Sequence, residues 1–241
     1  MNRGPRLVSR MKSIVVPAGR KPRTVLLGPS RGIRMELDLR HQTQLCLGLY
    51  EREILGWIKR LGQQSRTMVD VGSGEGIYPL YFLAKTRVER VFAFEPQDEA
   101  RALFRRNLDL NGFGDDSRLR LSASPVGAER APTAVTLDDL LGDLRPPCLV
   151  KIDVDGSEMD VLSGSSAVLD RTDVSWIVEV HSSSLAEGCK AVLRRAGLIV
   201  FTVPNAWWRI LLPEMRPIAV NHWLVAVPPQ EVRSRRLRIC T

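Results

Sequence analysis

The chain has 241 residues, of which 44% are apolar and 26% are charged, and its formal net charge is +8. This composition is ordinary for a globular domain, and no apolar run approaches the roughly twenty residues of a membrane span. The positive charge is confined to the ends: residues 1–35 hold nine Lys or Arg and no acid, residues 233–238 hold four Arg, and the remainder is mildly acidic.

The two basic ends are predicted to be tails outside the folded core. We interpret residues 1–23 as a flexible basic segment and residues 231–241 as a second basic tail. A solvated tail is the plain interpretation, and loose binding of RNA or of an anionic lipid surface is the alternative. The N-terminal segment also resembles a transit peptide, but prolines and glycines interrupt an amphipathic helix there.

The cysteines and the N-terminal pattern predict a cytoplasmic protein. Cys46, Cys148, Cys189 and Cys240 form no Cys-x-x-Cys pair, which predicts neither a zinc site nor a disulfide framework. An apolar segment of the kind found in secretory signals is absent near the N-terminus.

Residues 24–64 are predicted to form a cap over the main domain, which we place at residues 65–230. Residues 24–27 and 33–39 read as two strands around a glycine-rich turn. Residues 45–61 then follow a helical pattern of apolar positions.

The main domain begins with a strand, a glycine turn and a helix. An apolar run at 67–71 leads into Gly72, Gly74 and Gly76, and the residues from Ile77 onward have helical spacing. A second apolar run ends at Glu95, where an acid can accept hydrogen bonds from both hydroxyls of a ribose. This pattern predicts a nucleoside-binding half-fold.

The spacing of the glycines favours S-adenosylmethionine over a dinucleotide. A dinucleotide fingerprint needs a third glycine three positions after the second, and Ile77 stands there. Asp70 precedes the turn, where its charge would repel a pyrophosphate but suits a sulfonium or an ammonium. S-adenosylmethionine carries both cations, a ribose and no phosphate.

The next strand is predicted at residues 118–122, after a helix that Asn111-Gly112 ends. Ligands of doubly wound sheets lie at the carboxyl ends of the strands. Ser122 to Ser124 are therefore expected beside the adenine ring, although a simple turn is the alternative.

Two acids follow the buried strand at 148–152. Asp153 and Asp155 could hold the ligand's cationic centre, accept a proton or bind a divalent ion. Ser157 is predicted to cap the following helix together with Asp160, and Glu158 is interpreted as an acid of its first turn.

The last strands complete a seven-stranded sheet. His181 follows the strand at 175–180, opposite Asp153 in the expected strand order. Strands at 198–203 and 223–227 are predicted to pair antiparallel, because the prolines between them disfavour a long crossover helix. Trp207 and Trp208 in that connection could line a substrate site or pack against the sheet. The fold class is therefore α/β, doubly wound, with a mostly parallel sheet and an antiparallel last strand.

Four stretches resemble the FkbM family of S-adenosylmethionine-dependent methyltransferases, on the Rossmann-like class I methyltransferase fold. They are Val-Asp-Val-Gly-Ser-Gly-Glu-Gly-Ile-Tyr78, Ala-Phe-Glu-Pro96, Thr-Leu-Asp-Asp-Leu140 and Val-Lys-Ile-Asp-Val-Asp-Gly-Ser-Glu158. The last departs from the family's usual pattern by Asp155 for Glu and Ser157 for Ala. By resemblance, residues 70–76 hold the methionine part of the cofactor, Glu95 the ribose, residues near 122–124 the adenine, and Asp153 borders the methyl group. The cofactor-binding residues predicted in this way are Asp70, Gly72, Ser73, Gly74, Gly76, Glu95, Pro96, Ser122, Ala123 and Asp153.

The resemblance implies O-methylation of a hydroxyl on a sugar or on a natural-product-type small molecule. The catalytic residues that could accept the hydroxyl proton are Asp153, Asp155 and His181, and no metal is predicted. Two alternatives are an RNA methyltransferase that uses the basic tails and a non-catalytic module that binds S-adenosylmethionine. Nucleic acid is therefore a possible partner, ranked below a small hydroxylated acceptor.

Overall fold

The computed structural model describes residues 19–205 and 221–233. These residues form a two-stranded sheet near the N-terminus and a seven-stranded sheet with helices on both faces. The strands are β1 (Lys21–Thr24), β2 (Arg34–Leu37), β3 (Thr67–Val71), β4 (Arg90–Phe94), β5 (Leu119–Ser122), β6 (Cys148–Ile152), β7 (Val174–Val180), β8 (Ile199–Val203) and β9 (His222–Val227). The helices are α1 (Thr43–Leu47), α2 (Arg52–Gly62), α3 (Ile77–Lys85), α4 (Asp98–Leu110), α5 (Glu158–Ser163), α6 (Ser166–Leu169), α7 (Ser183–Arg195) and α8 (Pro229–Arg233), with a 3₁₀ turn at Asp138–Leu140.

The predicted fold class is confirmed by the strand order of the large sheet. Its strands run β5-β4-β3-β6-β7-β9-β8, and those from β5 to β7 pair parallel. Strand β9 pairs antiparallel with both β7 and β8, as predicted for the last pair. The strand order reverses between β3 and β6, where the carboxyl ends of doubly wound sheets bind ligands.

Strand register brings three charged side chains onto one face of the sheet. Asp70 of β3 lies beside Lys151 of β6, and Lys151 lies beside Ile177 of β7, two residues before Glu179. Because side chains alternate along a strand, Asp70, Lys151 and Glu179 share the face that packs on α2 and α3. This face of the sheet is therefore apolar over most of its area and carries its charged side chains at its carboxyl edge.

The N-terminal hairpin differs from the prediction in its limits. Strand β1 ends at Thr24 because the following residues lead into the turn. Val25 N donates to the carbonyl of Ile33, and Leu26 N donates to the carbonyl of Cys46. The helix predicted at 45–61 is divided into α1 and α2. Gly48 has φ +70, and a Cβ there would meet the carbonyl oxygen of Leu27 at 2.0 Å, so α1 ends against the hairpin. The domain limits 24–64 and 65–230 stay predictions.

Two short features of the second half of the chain concern its helices. Residues Asp138–Leu140 form a 3₁₀ turn. Helix α7 begins at Ser183, and the hydroxyl of Ser182 caps it by accepting from Leu185 N. No helix in the described parts of the chain is long and apolar enough to cross a bilayer.

Candidate active site

The carboxyl edge of the sheet assembles most of the predicted site residues. The ends of β3, β4, β6 and β7 carry Asp70, Glu95, Asp153 and His181 respectively. Asp70 and Glu95 are buried, while Asp153 and His181 are half-buried. Ser122 is half-buried at the end of β5, whereas the predicted cofactor contacts Pro96 and Ala123 are exposed.

The glycine turn is tied to the acid that follows β4. The backbone N–H of Gly74 donates to Glu95 Oε2 at 2.8 Å, and Gln97 N donates to Glu95 Oε1 at 2.8 Å. Each carboxylate oxygen has a second lone pair free for a hydroxyl. Glu95 N in turn donates to the carbonyl of Ser122 at 3.0 Å, which places the end of β5 next to Glu95. This arrangement suits a ribose and, beside it, an adenine ring.

Two glycines of the turn have different surroundings, although both have positive φ. A Cβ on Gly72 would lie 1.8 Å from the carbonyl oxygen of Asp153, so β3 and β6 approach too closely there for any side chain. A Cβ on Gly74 would have no atom of the described chain within 4 Å. The turn therefore packs on β6 at one glycine and leaves open space at the other, as a nucleoside cofactor requires.

Asp70 is a buried carboxylate that lacks a partner. Its exposure is 1%, and neither carboxylate oxygen has a hydrogen-bond partner among residues 19–205 and 221–233. Burial raises the pKa of Asp70 to about 7. Because an unpaired buried carboxylate is costly, its position fits a site that receives a cation. S-adenosylmethionine, the predicted cofactor, is consistent with the buried carboxylate of Asp70 and with the open space at Gly74.

Lys151 lies at the centre of a group of carboxylates. Its Nζ is 3.0 Å from Asp153 Oδ2, 4.0 Å from Glu51 Oε2 and 4.9 Å from the centre of the Tyr78 ring. Burial lowers the pKa of Lys151, but the charges of Asp153 and Glu51 together with their neighbours raise it more, so Lys151 stays protonated. Sequence reasoning missed this residue, yet a lysine inside the apolar run 148–152 is itself a signal of a buried ion pair.

Glu51 reaches the same group of charges from the N-terminal part of the chain. It stands directly before α2 with φ +46, is 4% exposed, and accepts a hydrogen bond of 2.5 Å from the hydroxyl of Tyr78. A non-glycine residue in this backbone region is uncommon. No local pattern in the sequence indicates a role for Glu51, so its position could be found only from the tertiary structure.

The carboxylate of Glu158 holds the ring of His181. The Nδ1 atom of His181 lies 2.7 Å from Glu158 Oε1, and Glu158 is fully buried. Glu158 is an acid of the first turn of α5, as interpreted, but it is buried and has a second role at His181. The predicted cap by Ser157 was wrong, because within the described chain the Ser157 side chain makes no capping bond and Gly156 N donates to Glu158 instead.

The other ring nitrogen of His181 faces three carboxylates. His181 Nε2 is 3.4 Å from Asp155 Oδ1 and 3.9 Å from both Asp153 Oδ1 and Glu179 Oε1. The hydrogen bond with Glu158, more than these charges, raises the pKa of His181 to about 9. Burial and the neighbouring Asp153 raise the pKa of Glu179 to about 8.

A metal ion could be held by Asp153, Glu179 and His181, whose potential ligand atoms lie within 4.8 Å of one another. Two of these ligands already have partners, because Lys151 pairs with Asp153 and the Asn221 amide donates to Glu179. The expectation that no metal is needed stays a prediction.

Trp207 and Trp208, suggested as substrate-lining residues, lie outside the described residues.

Residues 107–212 match the family model described as the Methyltransferase FkbM domain. The matched segment contains Asp153, Glu158, Glu179 and His181, and it begins after the glycine turn. The resemblance to FkbM methyltransferases is therefore confirmed, and with it S-adenosylmethionine is supported as the cofactor. The comparison with curated proteins gives no match.

A solved FkbM methyltransferase shares the fold at low sequence identity, and other methyltransferases are similar to a lesser degree. The methyltransferase FkbM from Methylobacillus flagellatus KT is 20% identical with a TM-score of 0.52, and the match covers 67% of this chain and 43% of that chain. The chain thus spans less than half of that protein. A precorrin-6y C5,15-methyltransferase from Geobacter metallireducens GS-15 is 14% identical with a TM-score of 0.48, covering 76% of this chain and 89% of that one. The N-terminal domain of human METTL16 in complex with SAH is 15% identical with a TM-score of 0.49, and the match covers 74% of this chain and 68% of that chain.

Proposed function

We propose that this chain, which carries an FkbM methyltransferase domain at residues 107–212, is an S-adenosylmethionine-dependent O-methyltransferase acting on a hydroxyl of a small molecule. A sugar or a natural-product-type compound is the acceptor class that we favour. The whole protein's activity is part of this proposal, because the chain covers 43% of the Methylobacillus protein.

The observation that carries the proposal is an excess of buried carboxylate at the carboxyl edge of the sheet. Asp70, Glu51, Asp153 and Glu179 all act on Lys151, which is the one lysine within this group. A buried charge without a counter-charge is strongly unfavourable, so this edge is suited to a ligand that brings positive charge with it. Among nucleoside cofactors, S-adenosylmethionine has this property through its sulfonium and its ammonium.

The residues that would hold the cofactor are those of the glycine turn, Asp70 and Glu95. When bound, S-adenosylmethionine supplies an electrophilic methyl group on a sulfonium. The acceptor hydroxyl needs its proton removed as it attacks, so the chain must place a base next to that hydroxyl. Exclusion of water from this edge would strengthen the charge interactions within it.

His181 is the best placed of the three predicted bases. Glu158 accepts a hydrogen bond from Nδ1–H, which leaves Nε2 as the basic nitrogen of the neutral ring, on the side of Asp153 and Asp155. Despite burial, the charge and hydrogen bond of Lys151 lower the pKa of Asp153, so Asp153 is a weak base. The side chain of Asp155 is 86% exposed, where water competes with an acceptor. A cation that offsets the charges of Asp153 and Glu179 would lower the pKa of His181.

A cleft beside the site supports an acceptor with apolar surface. It lies between the N-terminal hairpin and the first turn of α3. Val25, Leu27 and Leu45 line one side, and Tyr50 and Tyr78 line the side toward Glu51. An apolar part of a hydroxylated compound could pack against these side chains next to the charged groups.

The proposal is tested by transfer of a labelled methyl group. The protein is incubated with S-adenosylmethionine carrying a radioactive methyl and with a cell extract separated into small molecules and RNA. We expect label in the small-molecule pool, in an ether that resists mild alkali. The variant His181→Gln should lose about 100-fold or more of the rate, the usual contribution of a general base. His41→Gln serves as the matched control, because His41 is exposed.

Three results would contradict the proposal. Label in RNA would favour the nucleic-acid alternative, and label lost in mild alkali would indicate a methyl ester. Cofactor binding without transfer to any pool would favour a non-catalytic module.

A further inference from the structure

The carboxylate of Glu51 has a position that helix α2 does not require. Glu51 has a left-handed backbone conformation and makes no side-chain cap to α2 within the described chain. Non-glycine residues in that region cost of order 1 kcal/mol or more and persist where the surroundings enforce them. A glycine or an asparagine would satisfy the backbone, so the start of α2 gives no reason for a buried acid here.

The partners of Glu51 support its charge without neutralising it fully. The Tyr78 hydroxyl donates to Oε2, and burial together with the charge of Glu51 raises the pKa values of Tyr78 and Tyr50 well above normal, so both phenols stay protonated. Lys151 is closer to Asp153, at 3.0 Å, than to Glu51, at 4.0 Å. Lys151 is therefore engaged mainly by Asp153, and Glu51 can accept a further cation.

The surroundings of Glu51 indicate which cation it would meet. Tyr78 lies in the first turn of α3, two residues after Gly76, and Lys151 pairs in register with Asp70 directly before the glycine turn. Glu51 therefore lies near the two ends of the glycine turn, whereas Glu95 accepts from Gly74 in the middle of the turn. A compact, strongly hydrogen-bonding cation such as a primary ammonium fits a pocket of carboxylates and phenols.

We propose that Glu51 binds the α-ammonium of the cofactor's methionine moiety, and that Tyr78 holds the Glu51 carboxylate in position for this contact. This inference rests on the proposed function and adds to it a residue that lies outside the FkbM match at 107–212. It also gives the N-terminal part of the chain a direct role in cofactor recognition.

The test compares two ligands that differ in the ammonium alone. Isothermal titration is carried out with S-adenosylhomocysteine and with its deaminated analogue, neither of which has a sulfonium. Glu51→Gln keeps the size of the side chain and an acceptor for Tyr78 but removes the charge. We expect it to weaken S-adenosylhomocysteine binding by about tenfold or more, the value of one charge-assisted hydrogen bond, and to leave binding of the deaminated analogue unchanged.

Glu53→Gln, in the first turn of the same helix, is the matched control and should bind both ligands like the wild type. If Glu51→Gln does not fold, Glu51→Asp takes its place, since it keeps the charge but withdraws it by one methylene and should reduce the preference for the ammonium-bearing ligand.

The outcomes separate the two proposals. If the wild type binds neither ligand, the proposed function fails. If the wild type binds S-adenosylhomocysteine, but the Glu51 variants keep its affinity or lose affinity for both ligands equally, Glu51 is structural and the inference is overturned.

Discussion

The contact between Glu158 and His181 allows a quantitative prediction for the variant Glu158→Gln. Glu158 is fully buried, and its Oε1 lies 2.7 Å from His181 Nδ1. The amide keeps the shape of the side chain and a carbonyl oxygen that can accept the Nδ1 proton, but it removes the negative charge. The imidazolium form of His181 therefore loses its strongest stabilising interaction.

The size of the effect follows from the energy of one charge-assisted hydrogen bond. Such a bond contributes about 1.5–3 kcal/mol, and one pKa unit corresponds to about 1.4 kcal/mol, so the pKa of His181 should fall by about 1–2 units. In the wild type this pKa is raised to about 9. Because the neutral ring is the base, the rising limb of kcat/KM with pH should move to lower pH in the variant. The maximal rate should fall, since an amide positions the ring less firmly.

Nuclear magnetic resonance titration of the three histidine rings measures the pKa directly. His222, whose pKa is lowered by burial, serves as the internal control and should not change. A pKa of His181 that stays at its wild-type value in Glu158→Gln would refute the assignment of Glu158 as the residue that sets it. A rate loss without a shift of the pH limb would indicate a purely structural role.

Three further predictions concern stability and cofactor binding. Lys151→Met should destabilise the protein by about 3–5 kcal/mol in urea unfolding, because it leaves Asp153 and its neighbours as unpaired buried charges; wild-type stability would contradict this. Gly72→Ala should prevent folding or raise aggregation, because its Cβ meets the Asp153 carbonyl at 1.8 Å, whereas Gly74→Ala should cost only about 1–2 kcal/mol and mainly weaken S-adenosylhomocysteine binding in titration. Asp70 has a pKa raised from 3.8 to about 7, so its native form binds a proton more tightly than the unfolded form, and stability falls as pH rises between these values. Asp70→Asn should therefore be more stable than the wild type at pH 8, by up to about 4 kcal/mol, while it binds the cofactor less well; equal stability of the two proteins would contradict this.

The sheet could be predicted from the sequence because its strands are short apolar runs with clear ends. The runs at 67–71, 148–152 and 175–180 match β3, β6 and β7 within a residue. Parallel order then places the residues that follow these strands at one edge, which is why Asp70, Asp153 and His181 were expected together. The hairpin limits were wrong because Leu26 bonds to Cys46, a contact that local patterns do not contain.

The charged core of the site depends on tertiary contacts and could be predicted only in part. Glu51 is distant in sequence from Tyr78 and Lys151, and nothing within a few residues of it indicates that the three meet. Glu158 fits the pattern of a helix first turn, and only its burial against His181 reveals the second role. By contrast, Lys151 and Glu179 interrupt apolar strands, so their alternation with buried residues could have indicated an internal ion pair.

The distribution of charge connects the stability of the protein to its ligand. Asp70 lies without a hydrogen-bond partner in the described chain, and Glu179 has a pKa raised to about 8 by burial and by Asp153. Both groups bind a proton more tightly in the folded than in the unfolded state, so both make the protein less stable as pH rises from about 4 to 8. A cationic ligand that displaces those protons would reverse this loss, because it stabilises the ionised forms in the native state alone. The gain in melting temperature on adding S-adenosylmethionine should consequently be larger at pH 8 than at pH 6, and an equal gain at both values would show that the buried carboxylates do not face the cofactor.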